Sequence, residues 1–194
     1  MSVKINLTQA LMYRIFIGVP VVITTDFRNE LEYLRALLYP NKVSWVKEEL
    51  MHITVRFLGN ISVNKLHLLK QEFAQIRYEK PIELSINGVE LFGAKHSPKV
   101  IYADIKNTEP WLDLYDRVND MLRAIGCNDD AYRYTPHLTL GRIRRVKDVA
   151  KIIRASECKL ELEQKNLQLC LYQSQLSQYG PEYTILESVP LSNF

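Results

Sequence analysis

Cysteine is scarce in this sequence of 194 residues, and the cysteines lack the spacing of a metal or redox site. Cys127, Cys158 and Cys170 are odd in number and form no C-x-x-C pair. A disulfide framework requires paired cysteines, and structural zinc sites favour closely spaced thiols. We therefore expect neither feature, and we expect the reducing environment of the cytoplasm.

Long hydrophobic runs are also missing. The longest apolar stretch, LMYRIFIGVPVVI, is interrupted by Arg14, Gly18 and Pro20 and is too short to cross a bilayer. The residues before it show no convincing signal-peptide cleavage pattern. No Gly/Ser-rich linker or low-complexity block divides the chain. We therefore expect a protein without a membrane partner, folded as a single domain over residues 1–194, and we expect a monomer.

The overall charge has no strong excess of either sign. The chain carries 25 basic and 22 acidic residues, a net charge of +3. Such a molecule is not a polycation that coats nucleic acid, so any polyanionic partner must be held locally. The hydrophobic fraction of 47% is sufficient for one buried core.

The spacing of apolar residues switches between the periods of helices and strands. Helical spacing, with stops at Pro40 and Gly126 and an N-cap at Ser62, predicts four helices: residues 27–39, 62–76, 109–126 and 146–155. Alternating or continuous apolar runs predict seven strands: residues 13–21, 51–59, 81–93, 99–105, 136–143, 158–174 and 182–191. Each half of the chain contains a strand, a helix and a strand with the pattern H-x-T. We predict an α+β fold that is bilobal, with two similar lobes, each with an antiparallel sheet and outer helices, and an active-site cleft between the lobes.

The pattern H-x-T is the feature that points to chemistry. Because side chains two apart on a strand share a face, His52, Thr54 and Arg56 are predicted on one face of the strand in MHITVRFLG. The other face then carries Ile53, Val55 and Phe57.

The segment TPHLTLGRI repeats this arrangement. Thr135, His137 and Thr139 are predicted on one face, and Leu138 and Leu140 on the other. A histidine and a threonine on a half-buried face contribute little to a sheet unless they find hydrogen-bond partners. A single copy is typical of a surface pair, whereas two copies favour a shared site.

Two histidines and two small hydroxyls suit acid and base catalysis on an anion. Histidine titrates near neutral pH, so one imidazole can accept a proton while the other donates one. Threonine hydroxyls can donate hydrogen bonds to the oxygens of a tetrahedral anionic group, such as a phosphate ester. No serine or cysteine nucleophile lies beside its own base, and no carboxylate-rich or H-x-x-x-H spacing favours a metal. The residues indicate phosphoryl transfer with no metal and no cofactor.

The paired tetrapeptides HITV and HLTL resemble the signature of the two-histidine (2H) phosphoesterase superfamily. The surrounding segments are similar to those of RNA 2′,3′-cyclic phosphodiesterases, also called 2′-5′ RNA ligases: RIFIGVPV, WVKEELMHITVRFLGN, LFGAKHSPKVIYADI, YTPHLTLGRI and YQSQLSQYGPEYTIL. The resemblance extends in order from about Tyr13 to Leu186. It implies an enzyme that opens a terminal 2′,3′-cyclic phosphate of RNA to a 2′-phosphate, and some members run a related 2′-5′ ligation in reverse.

The resemblance also implies roles for the four motif residues. His137 would activate the attacking water and His52 would protonate the departing 3′-oxygen. Thr54 and Thr139 would hold the non-bridging oxygens. The residues themselves leave the acid and base roles of the two histidines interchangeable.

Three other residues are candidates for substrate binding: Arg56, Tyr132 and Tyr134. Arg56 would neutralise phosphate, with a solvated position as the alternative. The tyrosines would stack on a nucleobase, with core packing as the alternative. The basic segment at 142–154 would steer RNA or form a solvated face.

Two other functions remain open at this point. One is a noncatalytic module that binds nucleotides or RNA in the same cleft. The other is an enzyme with the same chemistry that acts on 2′-5′ oligonucleotides, small nucleoside cyclic phosphates or another cyclic phosphodiester.

Overall fold

The computed structural model describes residues 12–94, 97–127, 133–178 and 180–191. Within these ranges, nine strands join in one antiparallel sheet. The strands are β1 (Met12–Pro20), β2 (Lys42–Trp45), β3 (His52–Ser62), β4 (Leu84–Ala94), β5 (Ser97–Ile105), β6 (His137–Arg145), β7 (Glu161–Gln164), β8 (Gln168–Ser177) and β9 (Gly180–Pro190).

The sheet divides into two lobes at its centre. The strand order is β7-β4-β5-β6-β3-β1-β8-β9, and β2 pairs with β6 outside this path. The lobe β3-β1-β8-β9 meets the lobe β7-β4-β5-β6 through the pairing of Ile53 with Leu138. The two strands that carry the H-x-T motifs are therefore the strands that join the lobes.

Strand β6 changes its partner along its length. It pairs with β3 at Leu138, and from Gly141 onward it pairs with β2. The backbone N–H of Val46 also donates to the carbonyl oxygen of Leu140, at 2.9 Å. Because β2 occupies this edge of β6, the lobes separate there and a cleft opens between β3 and β2.

Four α-helices accompany the sheet in the described ranges: α1 (Thr25–Leu38), α2 (Val63–Phe73), α3 (Glu109–Ala124) and α4 (Val149–Arg154). The side chains of Thr24, Ser62 and Asp148 cap three of them by accepting a backbone N–H. Such a cap is worth about 1 kcal/mol to a helix. No helix in the described part of the chain has the length and apolar character needed to cross a bilayer.

The helices cover one face of the sheet, and the candidate functional site lies on the other face. Helices α2 and α3 contact β3, while α1 contacts α4 and the 3₁₀ turn at 155–157, which lies against β4. Phe27, Phe73 and Trp111 are fully buried in the main core between helices and sheet. A smaller cluster of Phe16 and Tyr172, with Cys170, lies on the sheet apart from this core.

The predicted α+β fold with two lobes and a central cleft is confirmed. Two details of the prediction are wrong. The strand predicted at 158–174 is two strands, because Asn166 adopts a left-handed backbone (φ 55°) between β7 and β8. Strand β2 was not predicted, since its four residues are too short for a clear period. Lys95 and His96 of the predicted β4–β5 turn lie outside the described residues.

Candidate active site

The two H-x-T motifs meet where the lobes join. Ile53 and Leu138 pair directly and are both buried in the core. Their neighbours along each strand point to the opposite face, which brings four side chains together: His52, Thr54, His137 and Thr139. Extending the antiparallel register by one residue each way sets each histidine opposite the threonine of the other motif. Directly opposed Cβ atoms in such a pair lie about 4.5–5.5 Å apart, and diagonal ones about 7–8 Å apart. The two imidazoles are therefore placed diagonally across the pairing.

Both imidazoles are held by the same local hydrogen bond. Nδ1 of His52 lies 2.7 Å from the carbonyl oxygen of Leu50, and Nδ1 of His137 lies 2.8 Å from that of Thr135. A carbonyl oxygen can only accept, so each Nδ1 carries the proton and donates it. Nε2 is then the nitrogen that can take up or release a proton at each ring.

Aromatic rings surround His52. Its ring centroid lies 4.8 Å from that of Phe16 and 5.4 Å from that of Tyr183. This burial lowers the pKa of His52 below the ordinary value of 6.5, although the hydrogen bond to Leu50 opposes the shift. A positive charge on His137 lowers the pKa of His52 as well.

His137 has a matching environment in the other lobe. Its ring centroid lies 4.9 Å from that of Phe92 and 5.3 Å from that of Tyr102. Burial lowers the pKa of His137, the hydrogen bond to Thr135 opposes this, and the charge on Arg142 lowers it further. Each lobe thus presents a neutral imidazole at neutral pH with the same tautomer.

Each motif strand contains a β-bulge immediately after its threonine. In the pairing of β1 with β3, Gly18 lies opposite Thr54 and Ile17 opposite Arg56, so Val55 has no partner. In the pairing of β5 with β6, Leu140 is skipped in the same way. A bulge inserts one residue and exchanges the faces of all residues beyond it. The predicted alternation of side chains between the two faces therefore fails beyond Val55 in β3 and beyond Leu140 in β6.

The bulge in β3 moves Arg56 away from the site. Arg56 is 5% exposed, and its Nε donates to Oδ1 of Asn119 on α3 at 2.9 Å. Phe57 takes the cleft face in its place and is 45% exposed. The prediction that Arg56 shares the face of His52 is wrong, and the structure places its guanidinium on the helix side of the sheet.

The bulge in β6 has the opposite chemical effect. It brings Arg142 to the cleft and turns Gly141 towards β2. A Cβ on Gly141 would lie 2.7 Å from Cγ1 of Val43 and 3.1 Å from Cε3 of Trp45, so glycine permits the close approach of β2. Arg142 was noted only as part of a basic segment. Its place beside the motif depends on the bulge, which the period of the sequence does not show.

A cavity of about 510 Å³ lies over three of the four motif residues, and His137 is not part of its lining. Its walls include His52, Thr54 and Thr139. Four further lining side chains are cationic and none is acidic: Arg14, Lys47, Arg142 and Arg144. Aromatic and apolar side chains form the rest of the wall, among them Phe16, Trp45, Phe57, Leu176 and Tyr183. The cleft therefore suits an anion that carries a flat or apolar group.

Gly18 allows β1 to pass beneath His52. A Cβ at this position would lie 2.8 Å from the carbonyl oxygen of Ile53 and 3.3 Å from Cδ2 of His52. The nearer atom belongs to the backbone of β3, which cannot move without moving the motif. The glycine that interrupts the apolar run of β1 thus has a packing role at the site.

Of the two predicted tyrosines, Tyr134 lies in the core and not in the cleft. The ring of Tyr134 stacks on that of Tyr115 with centroids 4.4 Å apart and packs against the main core. Tyr134 is absent from the cavity wall, and its position corresponds to the core-packing alternative. Tyr132 lies outside the described residues. Among those residues, no group of three or more His, Cys, Asp or Glu side chains is placed to hold a metal ion.

Comparison with known proteins relates this geometry to enzymes. Residues 17–102 match the family described as LigT like Phosphoesterase. An RNA 2′,3′-cyclic phosphodiesterase from Archaeoglobus fulgidus is 30% identical over 174 residues, which cover 88% of this chain and 96% of the relative. An enzyme of the same name from Thermotoga maritima is 28% identical, covering 74% of this chain and 76% of the relative.

Solved structures share the fold. The structure of E. coli LigT complexed with 3′-AMP aligns with a TM-score of 0.73 and 19% identity, covering 93% of this chain and 98% of that one. A protein from Thermus thermophilus aligns with a TM-score of 0.72 and 22% identity, covering 92% and 97%. At these identities the likeness concerns the fold, and the two-lobed arrangement is common to all three chains.

Proposed function

This chain belongs to the LigT-like phosphoesterase family, and we propose that it is an enzyme that hydrolyses the 2′,3′-cyclic phosphate at an RNA end to a 2′-phosphomonoester. The observation that carries the proposal is the pairing of Ile53 with Leu138, which sets the two H-x-T motifs side by side, with His52, Thr54 and Thr139 lining a cationic cleft and His137 next to them. The names of the relatives agree with it. RNA or a nucleoside cyclic phosphate is the substrate.

Hydrolysis requires one proton to leave the attacking water and one to reach the leaving oxygen. Nε2 of His137 accepts the proton of a water molecule as its oxygen forms a bond to phosphorus. The bond between phosphorus and the 3′-oxygen breaks, and Nε2 of His52 delivers a proton to that oxygen. Imidazoles on opposite sides of phosphorus suit in-line displacement. The matching tautomers make the reverse assignment chemically equivalent at the rings.

Charge on the phosphate is compensated by the remaining groups. The hydroxyls of Thr54 and Thr139 donate hydrogen bonds to the non-bridging oxygens as negative charge develops. Arg142, which the bulge of β6 directs to the cleft, adds a positive charge. Such donors act strongly because the aromatic wall lowers the local dielectric.

The two sides of the cleft differ in chemistry, and this orients the substrate. The first residue beyond the bulge that faces the cleft is Phe57 on β3 and Arg142 on β6. The wall near Phe57, with Phe16 and Tyr183, offers rings for a nucleobase to stack upon. The wall near Arg142, with Arg144, offers cations for phosphate. We place the base on the β3 side and the backbone on the β6 side.

The decisive experiment follows the products from an oligoribonucleotide with a 2′,3′-cyclic end. We expect a 2′-phosphate as the sole product, with no loss of rate in EDTA. His52→Ala and His137→Ala should each lower kcat/KM by about 10²- to 10⁴-fold. His67, an exposed histidine on α2, provides the control variant His67→Ala, which should retain the wild-type rate.

Other outcomes identify the alternatives. Binding of the cyclic end without turnover would indicate a noncatalytic module. Cleavage of 2′-5′ linkages alone would indicate a different phosphodiesterase, and inactivation by EDTA would overturn the metal-free mechanism. A 3′-phosphate product would show that the 2′-oxygen leaves instead.

A further inference from the structure

A second cavity lies beside the active-site cleft, along β2. Its volume is about 460 Å³. Three of its lining residues also line the cleft: Ser44, Trp45 and Arg144. The two cavities are therefore neighbours along β2, and a ligand in the cleft that extends past these three residues enters the second cavity.

The second cavity is built for an anion. Its lining contains the cations Arg35, Lys42 and Arg144 and no carboxylate. Tyr39 and Trp45 add aromatic rings, and Tyr39 is 75% exposed. Cations next to exposed rings are the combination that binds single-stranded nucleic acid, because bases stack while phosphates pair with the charges.

Arg35 combines a contact to the ring of Trp45 with a guanidinium that is not fully hydrogen-bonded. Its guanidinium lies over the ring of Trp45, with Cζ 5.4 Å from the centroid, and its Nη1 donates to Glu32 at 2.5 Å. The Nε atom of Arg35 is buried and has no hydrogen-bond partner among the described atoms. Glu48, a second acid near Arg35, is paired with Arg28. The Arg35 side chain is 26% exposed, so part of its guanidinium faces the second cavity and can contact a phosphate there.

The chemistry of the substrate decides which part of it reaches this cavity. A cyclic phosphate occupies the 3′ end of its strand, so every other nucleotide lies on the 5′ side. The opposite end of the cleft is lined by Ser174, Leu176 and Pro181 and carries one cation, Arg14, which pairs with Ser174 and lies over the ring of Phe57. The more cationic end leads past Arg144 to Arg35 and Lys42 of the second cavity.

Resting on the proposed function, we infer that the second cavity binds the RNA strand immediately 5′ of the reacting nucleotide. Its phosphodiester lies against Arg35, Lys42 and Arg144, and a base stacks on Tyr39. The enzyme then prefers oligonucleotide ends to mononucleoside cyclic phosphates.

The test compares two substrates, a single-stranded pentaribonucleotide with a 2′,3′-cyclic end and adenosine 2′,3′-cyclic phosphate. For the double variant Arg35→Gln/Lys42→Gln, the ratio of the kcat/KM values (pentanucleotide over mononucleotide) should fall roughly tenfold. The salt dependence of kcat/KM for the pentanucleotide should become shallower by about 0.7 log units per decade of salt for each lost phosphate contact.

The matched control is Arg123→Gln. Like Arg35, Arg123 lies on a helix and pairs with an acid three residues earlier, Asp120, but it lines neither cavity. Its substrate ratio should equal that of the wild type. If Arg35→Gln disturbs folding, the single variant Lys42→Glu, at an exposed position of β2, tests the same cavity without a change at Arg35.

An unchanged ratio in both Arg35→Gln/Lys42→Gln and Lys42→Glu, or an equal loss on both substrates, would overturn the inference. If the wild type hydrolyses neither substrate, the proposed function fails and the inference is judged by binding alone. Anisotropy with a labelled pentanucleotide ending in a 2′-phosphate should then show weaker binding to the double variant than to Arg123→Gln. Equal affinity would reject the second cavity as an RNA site.

Discussion

At the scale of residues, each imidazole is controlled by one hydrogen bond and by the rings around it. The carbonyl oxygens of Leu50 and Thr135 fix the proton on Nδ1 of the two histidines. Aromatic burial disfavours the imidazolium and lowers both pKa values. A base must be neutral to accept a proton and an acid must be charged to donate one, so catalysis requires one imidazole in each state.

These shifts predict an acidic optimum for the free enzyme. As pH falls below the pKa of the base, the base is protonated and the rate drops; as pH rises above the pKa of the acid, the acid loses its proton and the rate drops again. Because both pKa values lie below 6.5, kcat/KM should form a bell with its maximum below pH 6.5. Steady-state rates from pH 4.5 to 9 measure this, with His67→Ala expected to give the same profile. A maximum above pH 7.5 would contradict it.

At the scale of elements, the bulges decide which side chains the motif strands deliver. One extra residue after each threonine exchanges the faces of β3 and β6. The guanidinium of Arg56 consequently joins the packing under the sheet with Asn119, while that of Arg142 reaches the cleft. Two arginines that each follow a motif closely therefore have different roles.

The bulges predict opposite phenotypes for the two arginines. Arg56→Ala should lower the free energy of unfolding by about 1–3 kcal/mol, because the buried amide of Asn119 loses a partner. Arg142→Ala should change stability by less than about 0.5 kcal/mol and raise KM roughly tenfold. Urea unfolding and steady-state kinetics on the same two variants measure both effects. A raised KM with unchanged stability for Arg56→Ala would show that β3 keeps regular alternation.

At the scale of the whole molecule, the site is also the junction of the lobes. The buried pair of Ile53 and Leu138 joins the lobes on the core face, and His52 and His137 lie next to it on the other face. Protonation of these histidines therefore adds charge at the seam of the sheet. The protonation states needed for catalysis and the stability of the fold therefore depend on the same two histidines.

This linkage predicts a loss of stability in mild acid. The folded pKa values of His52 and His137 lie below the unfolded value of 6.5, so the unfolded chain binds more protons as pH falls through 6.5. The free energy of unfolding should fall between pH 7.5 and pH 5, and less so in His52→Gln/His137→Gln. The lowered carboxyl pKa values of Glu48 and Asp113 contribute below about pH 4.5, outside this window. Equal losses in urea titrations of both proteins would refute the link.

Features that depend on neighbours along the chain could be predicted from the order of residues alone. The helix predictions agree with α1 to α4, and Thr24, Ser62 and Asp148 act as caps through bonds to residues three positions on. The resemblance to phosphoesterases is confirmed by the relatives. Helical period, capping and motif spacing are local properties, so the order of residues is sufficient to specify them.

The pairing of the strands and the positions of the β-bulges could be seen only in the folded structure. The contact of Ile53 with Leu138, the bulges at Val55 and Leu140, and the edge strand β2 with Trp45 depend on hydrogen bonds between distant segments. The period-two pattern of a strand does not show whether one of its residues will be left unpaired in the ladder with its neighbour. For this reason the motif histidines were identified from the sequence, whereas Arg14, Phe57, Arg142 and Arg144 were placed in the cleft by the folded sheet.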